Sequence, residues 1–219
     1  MIKFHHTDTH ATTCGGSLIS SNTILSAAHC FRRSWEGDVL LKPVLVEVTL
    51  GEHNIRSISP TNTEQKYTIS NANIEVHPQY NHATEDNDIA KLRLDQPIDF
   101  ARHPKIHPIC LPASTNEDFT EREAKATGWG RWMPRDLKPA EVLQEINTTV
   151  ISLGDCNQRL TNFHGNQASL HVATEKEICA IGDVPLTGNA PRVCRGGYCL
   201  IMKIKTVLQL NFLPFQISK

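Results

Sequence analysis

Apolar and polar positions alternate over short stretches along most of the chain, and turn residues separate those stretches. Val44, Val46, Val48 and Leu50 fall on one face, the period-two pattern of a half-buried strand. Gly16-Ser17-Leu18-Ile19-Ser20, the turn Ser21-Asn22 and Thr23-Ile24-Leu25-Ser26 together predict a hairpin. Tyr67 to Ile69, Ile74 to Val76, Ile89 to Leu94 and Ala124 to Thr127 predict further strands, as does the β-branched run from Leu143 to Ile151. Met1 to Asp8 lacks the apolar h-region of a secretory leader and reads as a strand entered halfway along. A helix is predicted at Leu153 to Leu160 alone. The polar stretch from Ser114 to Glu123, after Pro108 and Pro112, predicts a crossing between two domains. Many short strands with regular turn signals predict an all-β sandwich or barrel architecture.

Composition narrows the function classes. The chain has 219 residues and a net charge of -1, with an isoelectric point of about 6.8. That length allows one large domain or two small ones and enough buried surface for a core. The balanced charge gives no footprint for nucleic acid or an anionic membrane, and no run of 18 or more residues is apolar enough for a spanning helix. Seven cysteines are spread out with no CxxC pair, which excludes a zinc ribbon or thioredoxin motif and points to an oxidising compartment. The odd count leaves at least one without a partner in the chain. From Gly197 onward the composition shifts: this tail holds Lys203, Lys205 and Lys219, no acid, and apolar runs such as Leu200-Ile201-Met202. It reads either as a C-terminal strand and docking segment or as sequence of different ancestry from the body.

Two features suggest chemistry. In Ser26-Ala27-Ala28-His29-Cys30, small residues precede a histidine, and Cys30 lies sixteen positions after Cys14. A bridge between those cysteines would anchor the histidine turn to the preceding hairpin, although a lone histidine in such a place is more often structural. In Asn87-Asp88-Ile89-Ala90, an acid stands at the mouth of an apolar strand, where an ordinary turn or cap is the simpler reading. Together, a held histidine and a half-buried aspartate are the orienting parts of a general-base relay.

The motifs Cys14-Gly15-Gly16-Ser17-Leu18-Ile19 and Leu25-Ser26-Ala27-Ala28-His29-Cys30 resemble the histidine box of the trypsin/chymotrypsin-like serine proteases. Asn87-Asp88-Ile89-Ala90 resembles that family's aspartate box, and Ile109-Cys110-Leu111-Pro112 and Thr127-Gly128-Trp129-Gly130 resemble two further signatures, all in the family's order. The resemblance runs from about residue 12 to Gly196. It implies an all-β fold of two antiparallel six-stranded β-barrels, the second incomplete. Residues 1–115 would form the N-terminal barrel and 116–196 part of the C-terminal one, with 197–219 a divergent tail. It further implies a secreted serine endopeptidase acting on proteins or peptides and open to protease inhibitors, with no required cofactor. His29 would be the general base and Asp88 its orienting acid, the roles of the family's own triad. Cys14 would pair with Cys30, and Cys156 with Cys179. Cys110 would match a cysteine that ties the domain to a preceding segment, and Cys194 one whose partner lies further on.

The last motif departs from the family. Cys194-Arg195-Gly196 matches, and Gly196 would supply one oxyanion-hole N–H, but Tyr198 stands where the nucleophilic serine belongs. A phenol is a poor nucleophile at neutral pH and fills the space of the scissile carbonyl. The only later serine is Ser218. Arg192 occupies the pocket-base position that trypsin-like members fill with Asp, which argues against Lys or Arg substrates. The family's activating Ile-Val-Gly-Gly is absent, as is the Asp before its serine. These departures predict a family domain cut short at both ends and inactive as written; the alternative is a non-catalytic homologue with a binding or regulatory role. Cys199, in the tail, has no family counterpart. Leu50-Gly51-Glu52-His53-Asn54 with Glu64-Gln65 resembles the calcium loop, so Glu52 and Glu64 are candidate calcium ligands, although an acid midway is lacking. Asn147-Thr148-Thr149 is an N-glycosylation sequon. His5, His6 and His10 match no metal spacing and read as a frayed polar terminus.

Overall fold

The structure, a computed structural model, describes residues 1–5, 11–33, 39–40, 43, 45–56, 63–112, 114, 117–130, 140–164, 173–182, 202–205 and 215–217. Of the candidate residues, His6, His10, Arg192, Cys194, Gly196, Tyr198, Cys199 and Ser218 lie outside these. The described residues through Leu111 belong to one compact unit and those from Pro112 onward to a second.

In the first unit the strands are β1 (Ile2–His5), β2 (Ala11–Cys14), β3 (Ser17–Leu18), β4 (Thr23–Ser26), β5 (Arg32–Arg33), β6 (Val39–Leu40), β7 (Leu45–Leu50), β8 (Gln65–Ile69), β9 (Ile74–Val76) and β10 (Ala90–Arg93). They form four-stranded sheets in the orders β2-β1-β7-β8 and β3-β4-β10-β9, and β5 pairs with β6. Every pairing is antiparallel. The period-two pattern explains β7: Val46 and Val48 are buried and Leu45 is exposed. Thr49 breaks the alternation because it too is buried. Gly16 permits the close approach of β3 to its neighbours, since a Cβ there would lie 2.8 Å from Ile2 Cδ1 and 3.0 Å from the Leu25 carbonyl oxygen. The core gathers Ile2, Phe4, Ile24, Phe31, Val46 and Leu92. Phe4 meets Phe31 edge to face with ring centroids 4.9 Å apart, a pairing that adds about 1 kcal/mol to the area the two rings bury.

The second unit contains β11 (Glu123–Gly128), β12 (Gln144–Ile151), helix α1 (Leu153–His164), β13 (Glu177–Gly182), β14 (Met202–Lys205) and β15 (Phe215–Ile217). The strands form one antiparallel sheet in the order β14-β13-β12-β11-β15. The sequence pattern does not flag β13, whose Cys179 and Ala180 are buried side by side. Helix α1 runs one turn beyond the predicted Leu160. Ser152 Oγ caps it by accepting from the Asp155 N–H (3.1 Å), and Asp155 sits in the positive first turn. The tail contributes both edge strands: Lys205 pairs with Glu177, and Ile217 with Ala124.

One terminal expectation is corrected. His5 is not in a frayed end but closes β1, opposite Ala11 and Leu45, and its Nε2 meets Glu47 Oε2 at 2.5 Å. The carboxylate on the next strand holds the ring in the sheet.

Candidate active site

Sheet register brings His29 to Asp88. Strands β4 and β10 run antiparallel with Ser26 opposite Ala90. Three residues on from Ser26 and two back from Ala90 lead in the same direction off the sheet. His29 lies in a short 3₁₀ turn, Ala28–Phe31, whose Ala28, Cys30 and Phe31 are buried. Ala27 and Ala28 are small enough to be buried at 1% and 0% exposure, which lets the turn sit against the core. Ser26 Oγ donates to the Gly15 carbonyl (2.8 Å) and ties this strand end to the segment beside Cys14. The Cys14–Cys30 disulfide closes the same connection covalently.

Asp88 is held from the other side. Asn87 adopts a left-handed φ of 55°, a conformation Asn tolerates better than most residues, and its Nδ2 donates to the Gln79 carbonyl (2.9 Å). The Ile89 N–H donates back to the Asn87 carbonyl (2.7 Å), so Asp88 is the middle of a tight turn entering β10. Its carboxylate has no exposure. It accepts from the His29 backbone N–H at Oδ1 (2.7 Å) and from His29 Nδ1 at Oδ2 (2.8 Å). An ionised carboxylate only accepts, so Nδ1 carries the proton and the neutral ring's lone pair is on Nε2. Buried charge is costly unless hydrogen-bonded, and here each carboxylate oxygen has a donor. The arrangement can hold a base in one tautomer and stabilise its protonated form. The sequence motifs did not signal the backbone N–H bond or the Ser26 hydroxyl; each depends on the turn's path. Nε2 also lies 3.7 Å from Cys30 Sγ.

Cys156 joins Cys179 and ties α1 to β13. Cys110 is exposed, and among the described residues its thiol is free. Asn147 is exposed on β12, opposite Lys125. Glu52 and Glu64 are both half-buried, on the segments that leave β7 and enter β8. Gly51, with φ of 70°, makes the turn out of β7. Among the described residues, Glu52 Oε1 is buried with no hydrogen-bond partner, an orphaned oxygen of the kind a cation would satisfy. The Met1 ammonium donates to the Thr49 carbonyl (2.9 Å); burial lowers its pKa to about 6, against the raising effect of Glu52. Among the described residues, no helix is long and apolar enough to cross a membrane.

Antiparallel sheets with one α-helix among the described residues, and a histidine held by a buried aspartate beside a disulfide, define a mostly β chymotrypsin-like fold. The same fold is found in a solved structure described as "Structure of GrC", with a TM-score of 0.62 and 22% identity over 99% of this chain and 86% of that one. The family model described as Trypsin matches residues 1–196, and the chain belongs to this family of serine proteases. It is similar to Serine proteinase stubble of Drosophila melanogaster, 35% identical over 70% of this chain and 18% of the relative. Serine protease filzig of the same species is 37% identical over 66% of this chain and 8% of its own length. Trypsin-1 of Salmo salar is 33% identical over 84% of this chain and 66% of its own length. The chain thus spans a small part of the first two relatives and about two thirds of the third.

Proposed function

We propose that this chain is a serine-endopeptidase homologue that keeps the base-orienting half of an acyl-transfer site and does not itself cleave peptide bonds. The reading rests on the contrast between the His29–Asp88 pair, bonded at 2.8 Å around a fully buried carboxylate, and a sequence that has Tyr198 where the motif resemblance would put the nucleophile. His29 is the general base in waiting and Asp88 its orienting acid; a base with no hydroxyl to deprotonate accelerates no acylation. Gly196 would still offer one oxyanion N–H, and Arg192 would disfavour cationic side chains at the pocket base.

Within this reading, residues 1–115 correspond to an N-terminal barrel, 116–196 to part of a C-terminal barrel and 197–219 to a divergent tail, each full family barrel having six strands. The pairing of β14 and β15 with the second sheet favours a folded, non-catalytic homologue with a binding or regulatory role. Its partners would be proteins or peptides, protease inhibitors included, and not nucleic acid or membrane. Two disulfides support an extracellular location, where Asn147 would be open to glycosylation. No cofactor is required; Glu52 and Glu64 would hold calcium in a structural role.

The test is incubation of the full chain with a diverse peptide library, read by mass spectrometry. No new termini should appear above a heat-treated control. Cleavage that disappears in His29→Ala would overturn the proposal.

A further inference from the structure

Among the described residues, one group of His, Cys, Asp and Glu side chains converges as a metal site requires: Cys14, His29 and Cys30, with one ligand atom from each within 4.8 Å of the others. Two of these ligands are joined as a disulfide. We infer that opening this bridge turns it, with His29, into a binding site for a thiophilic divalent cation, zinc above all. The inference does not rest on the loss of peptidase activity; it uses the same imidazole for different chemistry.

The geometry is already close. Zinc takes thiolate sulfur at about 2.3 Å and imidazole nitrogen at about 2.0–2.1 Å in a tetrahedron. Those lengths put a sulfur and a nitrogen ligand about 3.6 Å apart. Cys30 Sγ and His29 Nε2 stand 3.7 Å apart. Only the Cys14 sulfur must swing away from Cys30, and the Cα–Cα distance of 6.3 Å leaves room for that by side-chain rotation. The outer shell is in place as well. Metal-bound histidines typically donate their second N–H to a carboxylate, which fixes the tautomer and strengthens the ligand. Here Nδ1 donates to Asp88, itself fixed by the His29 backbone N–H. Both cysteines are 8% exposed, so the metal would be shielded yet reachable, with water as the fourth ligand.

The chemistry balances with a named reductant. A trialkylphosphine gives two electrons to the Cys14–Cys30 bond. Phosphorus takes the oxygen of one water and becomes the oxide, and that water's two protons complete the two thiols. Zinc then binds both sulfurs as thiolates and releases two protons to solvent. His29 keeps its Nδ1 proton throughout. Zinc on Nε2 occupies the nitrogen that would otherwise act as a base.

The experiment titrates zinc into the oxidised and the phosphine-reduced full chain, against a chromophoric zinc chelator, with X-ray absorption of the bound metal. The reduced wild type should take up one more equivalent than the oxidised form, with two sulfurs and at least one imidazole nitrogen in the shell. His29→Gln, which keeps both thiols, should bind at least about tenfold more weakly. Cys14→Ser/Cys30→Ser should lose the extra equivalent while retaining the other cysteines. An extra equivalent that survives in that double variant, a shell of four sulfurs, or equal uptake before and after reduction would each overturn the inference. If reduction unfolds the chain, zinc that restores native circular dichroism with the two-sulfur shell supports it, and zinc that leaves the chain unfolded counts against it.

Discussion

Replacing Asp88 by Asn tests whether the buried carboxylate sets the histidine's tautomer. The wild-type carboxylate accepts two bonds from His29, at 2.7 and 2.8 Å. An asparagine offers one acceptor oxygen and an NH₂ group that faces the second donor. If Oδ1 keeps the backbone N–H, the amide NH₂ confronts Nδ1–H, and the clash is relieved only when the ring proton moves to Nε2. A hydrogen bond to a charged group is worth about 1.5–3 kcal/mol. Losing one of the two, before any recovery through the tautomer change, should cost about 1.5–3 kcal/mol. Native-state hydrogen exchange in β4 and β10 would read this as about ten- to a hundredfold lower protection, since roughly 1.4 kcal/mol is a factor of ten. Long-range proton–nitrogen NMR, with His29 assigned by its loss in His29→Gln, would show the proton moving from Nδ1 to Nε2. If Asp88→Asn leaves both the protection and the Nδ1 proton unchanged, the carboxylate does not orient the ring.

Other consequences are more local. Cys14→Ala/Cys30→Ala removes a loop closure of 16 residues and should destabilise the first unit by about 3 kcal/mol in the chain-entropy model, measured as earlier urea unfolding of β3 and β4 by hydrogen exchange. Asp118 accepts from the Thr120 N–H at 2.8 Å, and this bond, then the Thr120 hydroxyl, lowers its pKa below the ordinary 3.8. Its stabilisation is therefore present above 3.8 and lost as pH falls through the lowered value; carboxyl NMR should show that midpoint, and Thr120→Pro should move it upward. Calcium should raise the melting temperature of the wild type and leave Glu52→Gln unchanged, and an equal rise in both would remove Glu52 as a ligand.

The legible parts of this chain are the local ones. The alternation at Val46 and Val48 and the turn Ser21-Asn22 each depend on neighbours along the sequence, and they correspond to β7 and the β3–β4 hairpin. His29 and Asp88 stand 59 residues apart, and no periodicity relates them; the family motifs name both, while only the Ser26–Ala90 register explains their meeting. Strand β13, Glu177 to Gly182, carries no period-two signal because its two buried residues, Cys179 and Ala180, are adjacent instead of alternating. Helix α1 runs past the expected Leu160 through Thr161 and Asn162, both poor helix formers, because that turn extends a helix capped by Ser152 and anchored through Cys156. The strand expected within Met1 to Asp8 corresponds to β1, whereas the ordering of the His5 ring depends on Glu47, far along the sequence on the adjoining strand.

Treatment of the folded 219-residue chain with a fluorophosphonate, followed by intact-mass measurement, tests the central claim most directly. A His–Asp pair without a nucleophile forms no phosphonyl adduct, so the mass should stay that of the unmodified chain at any exposure that saturates an active trypsin-family enzyme. A stoichiometric adduct that vanishes in His29→Ala would contradict the account, because it would place an activated hydroxyl beside His29.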